Sequence, residues 1–151
     1  RAPGTDQVTA QAIRSDRMQS VYKFPEEIGQ IQQYFSPANS AAKVRATVAE
    51  GVDVPLYILG SSTDSAHLAA AKGLPYAFAS HFAPTHMFEA LNIYYNNFRP
   101  SEFLQEPYTI ACINVMAADT NEEAEKISTS LIRMFLAVFT GVSTYLQEPT
   151  E

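Results

Sequence analysis

Three short polar segments each follow an apolar run of strand length, and they are the strongest candidates for chemistry in this sequence. They are residues 60–65, 80–82 and 117–119. In parallel α/β proteins, ligands bind at the carboxyl ends of the strands, where such segments would meet. We therefore expect a binding site along this edge of a sheet.

The first segment, Gly-Ser-Ser-Thr-Asp-Ser, leads from a strand directly into a predicted helix. Gly60 would let a ligand approach the backbone closely. The unpaired N–H groups of the helix's first turn, together with the helix dipole, favour an anion at this position. Ser61 lies in the same turn, and the hydroxyls of Ser62 and Ser65 would add two donors. The segment predicts a phosphate-binding turn.

The same residues also have a purely structural interpretation. Serine, threonine and aspartate are common at helix starts because they cap orphan N–H groups. Asp64 could satisfy the helix dipole by itself, and its charge would oppose a phosphate. The residues alone leave both interpretations open.

Among the three histidines, His81 has the most suggestive position, at the end of the second apolar run. A histidine there could transfer protons or bind a ligand, and it could equally be structural. His67 and His86 fall on predicted helices, where surface or packing roles are expected. The histidines are too scattered for a metal site, so no metal is predicted.

From residue 54 onward, strand-like and helix-like segments alternate. The first two apolar runs lack polar alternation, which is typical of strands buried on both faces. Glycines can end two of the helices as left-handed caps, and a Thr-x-x-Glu capping box opens the last one. The strands are expected at residues 54–59, 76–80 and 107–117, and the helices at 63–72 (before Gly73), 84–97 and from Thr120 to Gly141. The pattern predicts parallel βαβ units, in either an open sheet or a section of a closed barrel.

The part of the chain before residue 54 has a less regular pattern. Residues 10–24 have loose helical spacing, and Pro25 is well placed as the first residue of a second helix. The alternation of residues 44–48 predicts a strand.

Length and composition limit the class of protein. With 151 residues, the chain suits one domain, residues 1–151. The net charge of −6 argues against nucleic-acid binding. No apolar stretch reaches the roughly 18 residues of a membrane span, and no signal peptide opens the chain, so we expect a cytoplasmic protein. The single cysteine, Cys112, excludes an internal disulfide and is expected to be buried in its apolar run.

Three longer stretches, taken together and in order, resemble the bacterial luciferase-like monooxygenase family, and the resemblance continues from Arg1 to about Gly141. Ser61 departs from the light-emitting luciferase subunits, which have an acidic residue there. The chain is therefore more similar to the broad luciferase-like group. The three stretches are Arg1-Ala-Pro-Gly-Thr-Asp-Gln7, Val54-Pro-Leu-Tyr-Ile-Leu-Gly-Ser-Ser62 and Ala69-Ala-Ala-Lys-Gly-Leu-Pro-Tyr-Ala-Phe-Ala-Ser-His-Phe82.

The resemblance implies a (β/α)8 TIM barrel that binds reduced FMN and oxidises a small organic substrate with O2. It places Arg1 at the family's phosphate-binding arginine, and Ser62 and Ser65 on its serine-rich turn. His81 would then lie on the flavin or substrate side. Reduced flavin would come from a separate flavin reductase or from nicotinamide reduction in place, and we expect a homo-oligomer.

A complete barrel of this kind needs about 250 residues. The resemblance therefore implies a central portion of the barrel, incomplete in this chain and inactive by itself, which proteolysis of the full enzyme could have produced. Such a piece would have open sheet edges and an uncovered apolar face, and would tend to associate.

Two alternatives to the monooxygenase remain open from the sequence. One is a flavin-binding protein without turnover. The other is a different phosphate-binding barrel enzyme, such as an aldolase or isomerase, although no lysine lies within the three predicted strands.

Overall fold

The computed structural model describes Val8, Ala12, residues 17–142 and residues 145–150. The chain divides into two compact units, Arg1–Leu56 and Tyr57–Glu151, which are described separately. None of the helices in the described ranges combines the length and hydrophobicity needed to cross a membrane.

The first unit is built on helix α1, Arg17–Phe35, which runs through Pro25 without a break. The prediction that Pro25 begins a separate helix is therefore wrong. Proline has no N–H and cannot bond the carbonyl one turn earlier, but the hydrogen bonds on either side of it can continue the helix. Ile28, just after the proline, is buried in this unit.

The strand predicted at residues 44–48 is also wrong, because this segment forms bends and turns. The side-chain oxygen of buried Asn39 accepts a hydrogen bond from the Ala46 N–H at 2.8 Å, and the Ala46 carbonyl accepts from the Ala49 N–H at 2.7 Å. These bonds bend the backbone that a strand would extend. Val44 and Val48 are 70% and 92% exposed, so the apolar residues of the alternating pattern do not face a core as they would on a strand.

The second unit contains a parallel three-stranded sheet in the order β1-β2-β3. Helix α2 connects β1 to β2, and α3 lies between β2 and β3. The parallel α/β class predicted from the sequence is thus confirmed. The elements are β1 Ile58–Gly60, α2 Thr63–Lys72, β2 Tyr76–Phe78, α3 Met87–Asn97, β3 Thr109–Ala111 and α4 Asn121–Thr140.

The helix boundaries agree with the sequence prediction more closely than the strand boundaries do. Gly73 ends α2 and Gly141 ends α4, both in the left-handed conformation. Thr120 and Glu123 form the predicted capping box. The helix predicted at residues 84–97 begins with a 3-10 turn at Pro84–His86 and becomes an α-helix at Met87.

Each strand is only three residues long, shorter than predicted, and only the central strand is well buried. Tyr76 and Phe78 of β2 are 0% and 1% exposed. In contrast, Leu59 on β1 is 68% exposed, and Ile113 just beyond β3 is 81% exposed. The prediction of a first strand buried on both faces is therefore wrong, because the described residues leave the face of β1 that carries Leu59 uncovered.

Cys112 is exposed, against the prediction that it is buried. It follows β3, which lies at an edge of the described sheet. An apolar run alone does not reveal whether another layer covers it.

The core of the second unit lies where α2 and α3 pack together beside β2. The side chains that form this contact on the two helices are small, so the helices can approach closely. Leu74, Tyr76, Phe78 and Tyr94 fill the space around them. The fully buried alanines are Ala66, Ala69 and Ala70 on α2 and Ala90 on α3.

The end of α2 generates a prediction about Gly73. Its φ is 60°, and an added Cβ would lie 2.4 Å from the Arg99 carbonyl oxygen and 2.6 Å from Ser101 Cβ. Both strain and overlap oppose Gly73→Ala, which should lower the free energy of unfolding by about 2–5 kcal/mol. Urea unfolding of the purified protein measures this loss.

Gly141 provides the matched control. Its φ is 71°, and an added Cβ would meet no atom of the described chain within 4 Å. Gly141→Ala should therefore cost only the backbone strain, about 1–2 kcal/mol. Equal losses for the two variants would contradict the steric argument at Gly73.

Candidate functional site

The carboxyl ends of the strands lie along one edge of the sheet because all three strands are parallel. The Gly60 carbonyl accepts from the Ala79 N–H at 2.9 Å, which joins the first two ends. The Ser80 hydroxyl accepts from the Cys112 N–H at 3.0 Å and donates to the Cys112 carbonyl at 2.5 Å. Ser80 thus joins the second strand end to the third after the regular pairing has stopped.

The turn that follows β1 brings Gly60, Ser61 and Ser62 to the start of α2. Ser62 is the N-cap residue, with an extended backbone (φ −138°, ψ 169°), and its hydroxyl makes no capping hydrogen bond. The side chain is exposed. The hydroxyl of Ser62 is therefore available to a ligand at the amino end of a helix of ten residues.

Ser65 lies in the first turn of α2, and its hydroxyl faces inward. It donates to the Ser62 carbonyl at 2.8 Å and lies 3.0 Å from the hydroxyl of Tyr76. The Tyr76 hydroxyl also donates to the Ser62 carbonyl, at 3.2 Å. We call these three groups, the Ser62 carbonyl and the hydroxyls of Ser65 and Tyr76, the hydroxyl triangle.

The Ser65 side chain lies so close to the backbone of residue 60 that only a glycine fits there. A Cβ built on Gly60 would lie 1.9 Å from Ser65 Oγ and 2.3 Å from Ser65 Cβ. No side chain fits at this distance, so the glycine makes room for the Ser65 side chain. The close approach thus serves the packing of α2 against the end of β1.

Burial raises the pKa of the Tyr76 hydroxyl above its ordinary value, and the hydrogen bond between this hydroxyl and that of Ser65 partly opposes the shift. Tyr76 therefore keeps its proton at neutral pH and acts as a donor in the hydroxyl triangle. From the sequence, Tyr76 is predicted only to lie in a buried strand. A signal was present, because a buried tyrosine hydroxyl normally needs a polar partner.

Asp64 is the acidic residue in the first turn of α2, and it is exposed. Its charge is favourable at the positive end of the helix dipole and unfavourable to a bound anion. Both interpretations of this turn given by the sequence thus have a structural counterpart.

His81 lies just beyond β2 and is exposed. Its ring packs edge-on against Phe82, with ring centroids 5.2 Å apart. Its backbone carbonyl accepts a hydrogen bond from the Asn114 side chain, which follows β3. The backbone at His81 is thus held to the third strand segment, while its imidazole remains accessible.

Two of the predicted site positions remain to be located, Arg1 and residues 117–119. Arg1 lies outside the described residues. Residues 117–119 lie beyond the end of β3 and line an open cavity of about 490 Å³, together with Glu123, Lys126, Ile127 and Pro149. Within the described ranges, no cluster of three or more His, Cys, Asp or Glu side chains could hold a metal ion.

The sequence matches longer proteins over its whole length, although no family model matches it. The uncharacterized protein YddN of Bacillus subtilis (strain 168) is 48% identical over 151 residues, covering 100% of this chain and 44% of that protein. A luciferase-like monooxygenase of Escherichia coli (strain K12) is 41% identical over 151 residues, covering 100% of this chain and 45% of that protein.

A comparison of the fold with solved structures also finds a longer protein that matches nearly the whole chain. The crystal structure of apo-MsnO8 matches with a TM-score of 0.79 at 25% identity, covering 94% of this chain and 42% of that chain. The chain thus has a parallel α/β fold and spans less than half the length of the relatives that it matches. Over its whole length it is homologous to luciferase-like monooxygenases, a family of oxidoreductases, which confirms the resemblance.

The bridge between strand ends generates a prediction about Ser80. Ser80→Ala removes the hydrogen-bond partner of both backbone groups of Cys112. The free energy of unfolding should fall by about 1–2 kcal/mol, measured by urea unfolding.

Ser128 offers a matched control. Its hydroxyl donates to the Glu125 carbonyl within α4 at 2.6 Å, and alanine is the better helix former. Ser128→Ala should change stability by less than about 0.5 kcal/mol. A loss as large as that of Ser80→Ala would show that the bridge between strands has no special role.

Proposed function

We propose that this chain supplies the flavin-phosphate site of an FMN-dependent luciferase-like monooxygenase, which oxidises a small organic substrate with O2 and reduced FMN. The observation that carries the proposal is the exposed Ser62 hydroxyl at the amino end of α2, which makes no capping hydrogen bond to the helix. The relationship to luciferase-like monooxygenases supports a flavin as the ligand. A phosphate distinguishes FMN from riboflavin, so this turn would select FMN.

The donor set at the turn fits a phosphate group. The first-turn N–H groups of α2 and the Ser62 hydroxyl are donors at the positive end of the helix dipole. Gly60, Ser61 and Ser65 complete the same turn, and Arg1 would add a cation. Asp64 opposes the anion, and because it is exposed, solvent screens its effect.

Reduced FMN, when bound, would supply electrons to O2, so the oxidation chemistry would belong to the cofactor. The chain's own residues would bind and orient it. Ser62 and the helix amides would hold the phosphate at the carboxyl edge of the sheet. His81, with its exposed imidazole beyond β2, would donate or accept a proton on the flavin or substrate side.

Ser62→Ala tests the phosphate site. Binding of FMN and of riboflavin to the full-length protein is measured by the quenching of flavin fluorescence. A hydrogen bond to a charged group contributes about 1.5–3 kcal/mol, so FMN affinity should fall roughly tenfold to hundredfold. Riboflavin affinity should not change, since riboflavin has no phosphate.

Asp64→Asn is the companion variant, with an effect of opposite sign. Removing an exposed charge from the first turn should tighten FMN binding by about twofold to fivefold, and leave riboflavin unaffected. If the wild-type protein binds FMN and riboflavin equally, the phosphate site is disproved. A phosphate-binding barrel enzyme of another type would then be examined with sugar phosphates.

His81→Ala tests catalysis separately from binding. Oxygen consumption by the full-length protein with reduced FMN is followed during a screen of small organic substrates. The variant should lose about 100-fold or more in turnover if His81 transfers a proton, with FMN affinity unchanged. FMN binding without substrate-dependent oxygen consumption in the wild-type protein would favour a flavin-binding protein without turnover.

A further inference from the structure

We propose that Asn114 is a positioning residue for His81, because its side-chain amide holds the backbone from which the imidazole projects. The inference rests on the proposed role of His81 in proton transfer and adds a residue to it. From the sequence, Asn114 is predicted only to lie in the third strand.

Asn114 bonds His81 at a place where the backbone pairing of the sheet has already stopped. The last backbone pair of β2 and β3 joins Phe78 to Ala111. If the same register continued, His81 would lie opposite Asn114. Instead, the Asn114 side chain donates a hydrogen bond to the His81 carbonyl. A side chain thus takes the place of a backbone group between the two segments.

Residues 79–83, which we call the His81 turn, are anchored at their buried start. Ala79 is 5% exposed, and its N–H donates to the Gly60 carbonyl at 2.9 Å. The Ala79 carbonyl accepts from the N–H groups of Phe82 and Ala83 at 3.3 and 3.2 Å, which closes the turn. These bonds fix the start of the turn, and its outer part is held by other groups.

Two side-chain bridges join the His81 turn to the segment that follows β3. The Ser80 hydroxyl bonds both backbone groups of Cys112, one position before His81 in the turn. With this bridge alone, the turn could tilt about that point. The Asn114 amide supplies the second bridge, on the His81 carbonyl. The two bridges together fix the direction of the His81 backbone.

A fixed backbone limits where the imidazole can lie. The side chain projects from the same residue whose carbonyl Asn114 holds, and its ring packs on that of Phe82 at an interplanar angle of 72°. Proton transfer requires a donor and an acceptor within hydrogen-bond distance, and a displacement of about 1 Å can lower a rate about 100-fold. Asn114 thus acts on catalysis through His81, without touching the substrate.

The bond lies at the surface, so its loss should not unfold the protein. Asn114 and His81 are both exposed, and water can replace the amide at the carbonyl. The bonds that close the His81 turn do not involve Asn114. Asn114→Ala should therefore leave the midpoint of urea unfolding nearly unchanged, which separates an effect on the imidazole from an effect on stability.

Asn97 provides a matched control. Its side-chain amide also donates to a backbone carbonyl, that of Ile93, at 2.8 Å, and this bond is also exposed. Asn97 is the last residue of α3, which leads to the amino end of β3, away from the candidate site. Asn97→Ala therefore removes the same kind of hydrogen bond without reaching His81.

The first measurement needs no cofactor. In the full-length protein without flavin, the nuclear Overhauser effect between the ring protons of His81 and Phe82 reports the orientation of the imidazole. Asn114→Ala should lower this signal about twofold or more, because the His81 side chain then samples other rotamers. Asn97→Ala should leave it unchanged.

The second measurement is a double-mutant cycle on turnover, followed as oxygen consumption by the full-length protein with reduced FMN and substrate. Asn114→Ala should lower turnover about tenfold, with FMN affinity unchanged, because the imidazole is displaced but still present. In the His81→Ala background, Asn114→Ala should lower turnover no further, since it acts only through His81.

Each contrary outcome has its own meaning. The inference is wrong if Asn114→Ala leaves the ring signal unchanged, or if its effect on turnover persists in the His81→Ala background or equals that of Asn97→Ala. A wild-type protein that consumes no oxygen with any substrate overturns the proposed function instead. The ring signal then still decides whether Asn114 positions His81, because it is measured without flavin.

Discussion

The close contact between α2 and α3 is the constraint on which the second unit depends. Alanines on both helices are completely buried, so the backbones approach closely beside β2. The contact leaves no room for a larger side chain without moving a helix. Because α2 begins at the turn after β1, the packing that fixes this helix also fixes the position of its first-turn amides.

Two buried tyrosines distribute the polar bonds within this core. Tyr94 satisfies backbone groups at the amino ends of β2 and β3, and Tyr76 satisfies the Ser62 carbonyl at the opposite end. Their rings contact each other in between. Each hydroxyl thus reaches a loop that the short strands do not pair, which compensates for ladders of only three residues.

The sequence predicted helices well where local chemistry decides their ends. Gly73, Gly141 and the capping box at Thr120 are governed by backbone conformation and by hydrogen bonds within a few residues, so their effects can be predicted from the sequence. Pro25 misled the prediction because a proline favours a helix start without requiring one. The same proline is compatible with a helix that starts at Pro25 and with a helix that continues through it.

Strands and burial could not be predicted to the same extent. The turn at residues 44–48 depends on Asn39, whose side chain takes a backbone N–H seven residues later in the chain. The exposure of Leu59, Cys112 and Ile113 depends on what lies over the sheet, which an apolar run does not specify. Both errors arise because a strand is defined by its neighbours.

The candidate site shows the same division. The turn itself was evident from Gly60, Ser62 and Ser65, since a glycine and hydroxyls at a helix start have a local meaning. The role of Tyr76 was not, because it depends on the register that places β2 beside β1. Gly60 was predicted to admit a ligand, which stays a prediction, and the structure adds that a Cβ at this position would overlap the Ser65 side chain.

The turn at the start of α2 is held by residues of this chain, whereas the His81 imidazole has few neighbours among the described residues. All the groups of the hydroxyl triangle, with Gly60, lie between Gly60 and Tyr76, in a single β-α-β unit whose core is completed by Ala90 and Tyr94 of α3. The His81 imidazole, in contrast, is exposed, and its contact is the ring of its sequence neighbour Phe82. Selection of a phosphate would therefore depend on local structure, whereas selection of a substrate at His81 would depend on what surrounds that ring. The proposed phosphate-binding turn thus needs no group from the part of the chain that would select a substrate.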